Sequence, residues 1–415
     1  MKTVLLALLL IVPLQLRGDE QEWTPAKVAA KDLEINGRTL ETFEAGVKPE
    51  WGYAAPQQDT FVVMHPRMKR PHAPLYVVLH SAGHDVASCV NCTRTVGNHD
   101  IYRSPDDHFA LYVDCRKNTA RDWWWGGMHG KDQGLIKKNS GGVPMPVEKR
   151  VIDTVKWVIQ KYGIDPNRVY LSGNSMGGSG TLGIGMRHGD VFAAIKANVP
   201  AGIEHVADRL YFPPLSVPGN VKLPDPPVAI DYSAPNDSWS IGHERFVSAM
   251  NDRKYALYFY WGPFGHANNS AQIMKVNDLI DSFDWLNIKK NEAYVAFTNA
   301  TSNSQLPWPD DLKSTVAGQV NAFFRWKNIS DTSDKFETEL FLINAADLTT
   351  QFKIPNESTA DVTLRRLQKF QVKPGDTFRW TFGAATGEGQ VDGQGLITIP
   401  ALKMTAAHTT LTVTR

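Results

Sequence analysis

The sequence predicts an α/β protein with a mostly parallel sheet, followed by a smaller all-β region. Buried-strand patterns alternate with helical patterns until about residue 286. One of these strands ends in a glycine-flanked turn that leads straight into a helix. Beyond about residue 292 the helical patterns stop, and short segments rich in β-branched and aromatic residues follow one another. A chain of 415 residues is long enough for two such domains.

The beginning of the chain has the pattern of an export signal. Lys2 precedes an apolar stretch that is too short to span a bilayer, so we expect residues 1–18 to be a signal peptide. The predicted domains are then residues 19–290, with the α/β pattern, and residues 291–415, with the β pattern. We expect a secreted or periplasmic protein.

Charge and cysteine content exclude several classes of partner. Lys and Arg total 44 against 43 Asp and Glu, so no strong field would attract nucleic acid or a membrane surface. Only Cys89, Cys92 and Cys115 are present, too few for a disulfide scaffold. One bridge from Cys115 to either of the others would leave an odd thiol. The Cys89-x-x-Cys92 pair lacks a second pair, so a structural role is favoured over a metal site, and no metal or cofactor is predicted.

The first core elements follow in a regular order. The unbroken apolar run Leu75–Leu79 predicts a buried strand, and His80–Asp85 forms the polar turn after it. Ala110–Val113 predicts a neighbouring strand. Apolar residues recur at helical spacing in 147–162, and Gly163 to Pro166 end that helix.

A candidate nucleophile stands at the next strand end. Val169–Leu171 predicts a strand that runs into Gly173-Asn174-Ser175-Met176-Gly177, the G-x-S-x-G pattern of a sharp strand-to-helix turn. The glycines tolerate the crowding of that turn, and the turn exposes the Ser175 hydroxyl. Because Met176 begins the helix, its amide lacks a helical partner and is suited to bind an oxyanion.

A candidate base and a candidate acid lie downstream of this serine, each in a loop after a predicted strand. The strand predicted over 227–232 leads to a polar loop with Asp237, then to a helix over 241–251. The strand predicted over 255–261 leads to a glycine-bracketed loop with His266. We predict that His266 is the base and Asp237 the residue that orients it, with Asp231 at the strand end as the alternative acid.

The block VYLSGNSMGG, preceded by YGIDPNR, resembles serine esterases of the α/β-hydrolase fold. Among these esterases, it is especially similar to poly(3-hydroxybutyrate) depolymerases and to feruloyl and acetyl xylan esterases. The resemblance implies a doubly wound hydrolase sheet, a triad of Ser175, Asp237 and His266, and an ester-bearing small molecule or polysaccharide as substrate. The second oxyanion donor stays open between Ser81 and Ala82, because Ser81 stands where glycine is commoner. His80 is expected to brace its loop.

Four tryptophans are candidate substrate-binding residues. Trp123, Trp124 and Trp125 are consecutive, so their side chains cannot all face one core. Trp239 lies two residues after Asp237. Aromatic faces stack on sugar rings and aromatic acyl groups, but packing of these side chains within the protein is an equal alternative.

The region after residue 290 predicts an immunoglobulin-like β-sandwich. Its turns include Lys373-Pro374-Gly375-Asp376 and Asp392-Gly393-Gln394-Gly395. The predicted strands span residues 320–326, 337–343, 361–367, 378–382, 396–399 and 409–414. Trp308, Trp326 or Trp380 could bind polysaccharide, but bracing of the hydrolase part is the favoured role.

Two other functions remain as alternatives at this point. One is a serine peptidase similar to the prolyl oligopeptidase group, which shares the fold and the triad. The other is a non-catalytic carbohydrate-binding protein on a hydrolase scaffold. Hydrolysis of a chromogenic acetate ester separates an esterase from the second alternative.

Overall fold

The structure is a computed structural model. It describes residues 23–28, 33–53, 56, 58–96, 100–115, 123–124, 144–219, 221–263, 265–266, 278–348 and 352–415. The predicted export signal, residues 1–18, lies outside the described residues, and so does Trp125.

A large mixed sheet carries the fold, and its strands are numbered in chain order. They are β1 (Ala26–Lys27), β2 (Leu33–Ile35), β3 (Arg38–Gly46), β4 (Gln58–Met64), β5 (Leu75–Leu79), β6 (Phe109–Val113), β7 (Val169–Asn174), β8 (Ala194–Asn198), β9 (Val228–Ser233), β10 (Leu257–Trp261) and β12 (Gly318–Val320). The helices are α1 (Val86–Cys92), α2 (Pro146–Tyr162), α3 (Met176–Gly185), α4 (Ile203–Arg209) and α5 (His243–Asp252). Short 3-10 helices span Pro49–Trp51, Asp100–Tyr102, Ser238–Ser240, Trp285–Asn287 and Ala345–Asp347.

The strand order explains where a site forms. Strands run in the order β1-β3-β4-β6-β5-β7-β8-β9-β10-β12, with β2 on β3. From β6 to β10 all neighbours pair in parallel, whereas β4 and β12 join the edges antiparallel. After β5 the chain passes to β6 on one side of it and then to β7 on its other side. The loops that follow β5 and β7 therefore lead away from each other, and ligands bind in the crevice that such a reversal leaves. The predicted α/β-hydrolase fold is confirmed.

Two apolar cores cover the two faces of this sheet. Side chains alternate along each strand, so Val77 and Leu171 face one core while Tyr76 and Tyr170 face the other. Helix α2 adds its buried residues to the first of these cores. Burial on both faces is the reason that the central strands are almost entirely apolar in the sequence.

The region after residue 290 forms two antiparallel sheets. Their strands are β11 (Tyr294–Thr298), β13 (Phe324–Asp331), β14 (Lys335–Leu342), β15 (Glu357–Arg365), β16 (Thr377–Phe382), β17 (Ala385–Gln390), β18 (Ile397–Thr405) and β19 (Thr409–Thr414). One sheet has the order β11-β15-β18 and the other β13-β14-β19-β16-β17. The rings of Phe297 and Phe324 stack across them at 5.0 Å. The predicted C-terminal β region is confirmed, and its immunoglobulin-like type stays a prediction.

One predicted strand of this region was wrong. The segment 320–326 was expected to be continuous, but it divides between two sheets: β12 extends the large sheet, and β13 begins the five-stranded sheet. At the break, Asn321 has a φ of 58° and its side chain donates to Leu257 O. Because β12 pairs with β10, a segment beyond the predicted boundary at residue 290 contributes to the hydrolase sheet.

All three cysteines, Cys89, Cys92 and Cys115, are buried free thiols, so the bridge considered for Cys115 is not present. Burial raises the pKa of the Cys89 thiol well above its ordinary value, which keeps it protonated and unreactive. Among the described residues, no three His, Cys, Asp or Glu side chains are grouped to hold a metal ion. In the same part of the chain, no helix has both the length and the apolar character needed to cross a bilayer.

Candidate active site

Ser175 lies at a strained turn between β7 and α3. Its φ is 56° and its ψ is −113°, a conformation that side-chain-bearing residues rarely adopt. The two flanking glycines permit the turn. A Cβ on Gly173 would lie 2.3 Å from Gly177 O, and a Cβ on Gly177 would lie 2.0 Å from Leu79 O. The sequence around Ser175 therefore folds as the predicted elbow.

The structure brings Ser175, His266 and Asp237 together in one hydrogen-bonded chain. Ser175 Oγ lies 2.7 Å from His266 Nε2. On the other side of the ring, His266 Nδ1 lies 2.7 Å from Asp237 Oδ2. The carboxylate is buried, whereas the imidazole is 35% exposed. The ring can therefore accept the serine proton at Nε2 while Nδ1–H donates to the carboxylate.

Asp237 is held by both of its carboxylate oxygens. Oδ1 accepts from the amide of Trp239 at 2.9 Å, and Oδ2 accepts from His266. This residue starts a 3-10 helix at the end of residues 234–240, which we call the acid loop. Two donors on two oxygens fix the orientation of the carboxylate.

The alternative acid, Asp231, has a different partner. Its Oδ2 lies 3.1 Å from His243 Nε2, and both side chains are fully buried. Asp231 lies within β9, whereas Asp237 lies on the loop that faces His266. The geometry therefore favours Asp237 over Asp231 as the residue that orients His266.

The oxyanion candidates differ in their surroundings. Met176 is the first residue of α3, so its amide has no partner within the helix and lies next to Ser175. The amide of Ser81, by contrast, donates to the hydroxyl of Tyr102 at 3.2 Å, and the Ser81 Oγ lies 2.5 Å from that hydroxyl. The prediction of Ser81 as an amide donor is therefore not supported by this arrangement. Ala82, the next residue, is exposed.

Sequence reasoning missed Tyr102. Its ring is fully buried, and its hydroxyl joins the loop after β5 to the short helix Asp100–Tyr102. Burial raises the pKa of Tyr102 above its ordinary value, so the hydroxyl stays protonated. Tyr102 gives no sequence signal, because its approach to Ser81 depends on the packing of a segment 21 residues away.

His80 braces its loop, as expected. The ring is buried, Nδ1 donates to Ser81 O at 2.9 Å, and Nε2 accepts from the amide of Cys115 at 3.2 Å. The carbonyl of His80 also accepts from Trp124 Nε1 at 2.7 Å. These contacts join the ends of β5 and β6 beneath the nucleophile.

The candidate substrate-binding tryptophans have different environments. Trp124 is fully buried, because it packs against Gly180 of α3 and donates to His80 O, so its prediction as a substrate contact was wrong. Trp123 is half-buried against the core that contains Trp124, Val77 and Leu171. Trp239 is 48% exposed, and its ring centroid lies 6.4 Å from that of His266. Of the candidate tryptophans that the structure describes, Trp239 lies beside the candidate triad.

Comparison with known proteins gives a family match and several similar folds. Residues 146–202, from α2 through the elbow, match the prolyl oligopeptidase family. No curated protein matches the chain. The structure is similar to S-formylglutathione hydrolase from Agrobacterium tumefaciens, with 11% identity, a TM-score of 0.42 and coverage of 61% of this chain and 97% of that one.

A second similar structure is the CE1 ferulic acid esterase from the anaerobic fungus Anaeromyces mucronatus, with 17% identity, a TM-score of 0.39 and coverage of 60% of this chain and 92% of that one. A putative dipeptidyl aminopeptidase IV from Bacteroides ovatus is 15% identical at a TM-score of 0.37, covering 55% of this chain and 33% of that one. The family match falls on the block that carried the sequence resemblance. The resemblance to serine hydrolases of the α/β-hydrolase fold is confirmed.

Proposed function

We propose that this protein is a serine hydrolase that cleaves carboxylic esters through an acyl-enzyme on Ser175. The observation that carries the proposal is the chain of two 2.7 Å hydrogen bonds from Ser175 Oγ through His266 to Asp237. A serine hydroxyl is a weak nucleophile until a base accepts its proton, and this arrangement provides such a base at the carboxyl ends of the parallel strands.

The proposed reaction has two halves. Ser175 Oγ attacks the ester carbonyl carbon while His266 Nε2 takes the hydroxyl proton; the tetrahedral intermediate then collapses, and His266 returns that proton to the leaving alcohol. Water next attacks the acyl-enzyme, with His266 again as base, and the carboxylic acid leaves as Ser175 regains its proton. The Met176 amide, at the start of α3, donates to the oxyanion in both halves.

We propose acetyl or feruloyl esters of plant cell-wall polysaccharide as the substrate class. Trp239 supports an aromatic or sugar-bearing substrate, because the residue is 48% exposed and its ring lies beside His266. Export to a secreted or periplasmic location, as the pattern of residues 1–18 predicts, would bring the enzyme to such polymers.

Replacing the nucleophile tests the proposal. We expect Ser175→Ala to abolish hydrolysis of a chromogenic acetate ester, labelling by a fluorophosphonate and release of ferulate from a feruloylated oligosaccharide, without loss of the fold by circular dichroism. Ser238→Ala, an exposed serine on the acid loop, is the matched control and should keep full activity. Wild-type activity in Ser175→Ala would remove the nucleophile assignment.

A peptidase is the second candidate, because residues 146–202 match the prolyl oligopeptidase family. An amide needs the same triad but also protonation of a poorer leaving group, so the two activities share Ser175 and differ in substrate binding. Assay of aminoacyl-prolyl anilides beside acetyl and feruloyl esters separates them. A higher kcat/KM on the anilides would favour the peptidase, and the absence of turnover on both would favour a non-catalytic carbohydrate-binding protein.

A further inference from the structure

A fully buried aspartate–histidine pair outside the candidate triad lies next to the acid loop. Asp231 of β9 and His243 at the start of α5 contact each other at 3.1 Å, and neither side chain is exposed. The ring of His243 stacks on Phe259 at 5.0 Å with an interplanar angle of 11°. The proposed reaction uses neither residue, and burying two ionisable groups costs free energy unless they are paired and hydrogen-bonded, as these two are.

The carbonyl of Ser240, the other neighbour of the His243 ring, determines which ring nitrogen carries a hydrogen. Nδ1 lies 2.6 Å from the carbonyl oxygen of Ser240, which can only accept, so Nδ1 carries a hydrogen. A single further proton is then shared between His243 Nε2 and Asp231 Oδ2. The pair is neutral overall wherever that proton resides, which allows its complete burial. His243 therefore acts as a fixed donor to the backbone of the acid loop.

Ser240 is the point at which several contacts on the acid loop meet. Its Oγ lies 2.8 Å from Ala234 O and 2.7 Å from Asp237 O, and its single hydroxyl hydrogen is donated to one of these carbonyls or shared between them. Its carbonyl accepts from His243. Ser240 thus ties the beginning of the acid loop to Asp237, whose side chain faces His266.

Trp308 completes this arrangement from beyond the predicted domain boundary. Its indole Nε1–H donates to Ser240 Oγ at 2.9 Å, and the side chain is only 4% exposed. The ring packs 5.0 Å from that of His243 and 6.0 Å from that of Trp261. Trp308 lies between β11 of the C-terminal region and β12 of the large sheet, so it reaches the acid loop from the connection between the two parts.

We infer that Asp231, His243 and Trp308 are positioning residues that hold the acid loop so that Asp237 faces His266. Each acts on the loop through Ser240: His243 on its carbonyl, Trp308 on its Oγ, and Asp231 through His243. Small displacements of catalytic groups cost large factors in rate. On this inference the segment after residue 290 contributes to the rate of turnover through Trp308, which goes beyond the bracing role expected from its sequence. The part of this inference that concerns turnover rests on the proposed function.

Trp308→Phe is the most direct test, because it keeps an aromatic ring in the core and removes the N–H donor. We expect kcat on a chromogenic ester to fall about 5- to 10-fold, the equivalent of one hydrogen bond, with KM changed less than about twofold. Trp285→Phe is the matched control. Trp285 is also buried, but its ring packs against Tyr76 and Tyr170 in the core on the opposite face of the sheet. The kcat of the Trp285→Phe variant should therefore stay within about twofold of wild type.

Coupling to Ser240 separates positioning from general packing. If Trp308 acts through Ser240, Ser240→Ala should lower kcat to a similar extent, and the double variant Ser240→Ala/Trp308→Phe should be no slower than the worse single variant. Additive losses in kcat would overturn the inference. So would an unchanged kcat in Trp308→Phe, or an equal fall in the Trp285→Phe control.

A spectroscopic readout keeps the test independent of the reaction assigned to the site. The Nδ1 proton of His266, bonded to Asp237, should give a far-downfield proton NMR resonance that His266→Gln removes. We expect Trp308→Phe and Ser240→Ala to broaden or shift it, and Trp285→Phe to leave it in place. An unperturbed resonance in both variants would refute the inference, even if the wild type hydrolysed no ester. Failure of the proposed function would appear instead as an inactive wild type.

Discussion

Replacing Asp237 by Asn should nearly abolish turnover, because both carboxylate oxygens accept hydrogen bonds. Oδ1 accepts from the amide of Trp239 and Oδ2 from His266 Nδ1–H. An asparagine has one acceptor oxygen, so its NH₂ group must face one of these two donors. If it faces His266, the ring must take the tautomer with hydrogen on Nε2, and it can then no longer accept the proton of Ser175.

The lost charge adds to this effect. An imidazolium at His266 and a carboxylate at Asp237, 2.7 Å apart, attract by about 6 kcal/mol at an effective dielectric constant of about 20. Because the imidazole is 35% exposed, solvent reduces this to about 4–5 kcal/mol. We therefore expect kcat for Asp237→Asn to fall about 10³- to 10⁴-fold.

Asp231→Asn is the matched comparison. The asparagine NH₂ can donate to His243 Nε2 while His243 Nδ1–H still donates to Ser240 O, so the hydrogen bonds survive. The expected loss in kcat is about threefold. Steady-state rates on a chromogenic acetate ester, with unfolding midpoints measured in parallel, give the comparison. A larger loss of kcat in Asp231→Asn than in Asp237→Asn, with both variants folded, would refute the assignment of the acid.

Three further predictions concern stability and specificity. Gly177→Ala should lower the free energy of unfolding in urea by about 3 kcal/mol or more, since its Cβ would lie 2.0 Å from Leu79 O; an unchanged value would contradict the elbow geometry. Despite burial, Arg209 and neighbouring groups lower the pKa of Glu148, so its contribution to stability is present above about pH 4.5 and is lost as the pH falls. Glu148→Gln should therefore cost about 3–5 kcal/mol at pH 7 and flatten the acid side of the stability profile; equal profiles would argue against it. Trp239→Ala should raise KM for a feruloyl ester about fivefold and leave that for an acetyl ester unchanged; an equal rise for both would exclude selective stacking.

Local patterns in the chain were enough to predict the hydrolase part. Burial on both faces makes the strands of a parallel sheet continuously apolar, so β5, β7 and β9 stand out in the sequence. The elbow at Ser175 needs glycines for steric reasons, and such a requirement is visible residue by residue. The order of Ser175, Asp237 and His266 along the chain is the one that the resemblance to α/β-hydrolases implies.

Packing between distant segments decided the rest. The sequence favours Asp237 but leaves Asp231 as an alternative acid, and the approach of His243 to Asp231 and of His266 to Asp237 separates their roles. Trp124 is buried because α3 passes over it, a contact that no local pattern encodes.

The difference between local patterns and long-range packing also explains which parts of the candidate site the sequence could not predict. By itself the sequence predicted the candidate nucleophile and the sheet that carries it, because the geometry of one turn and the alternation of helices and strands are local properties. The tertiary structure decided that Tyr102 meets Ser81 and that Trp308 meets Ser240. Such contacts join segments 21 and 68 residues apart, and they depend on how sheets, helices and loops fill space together.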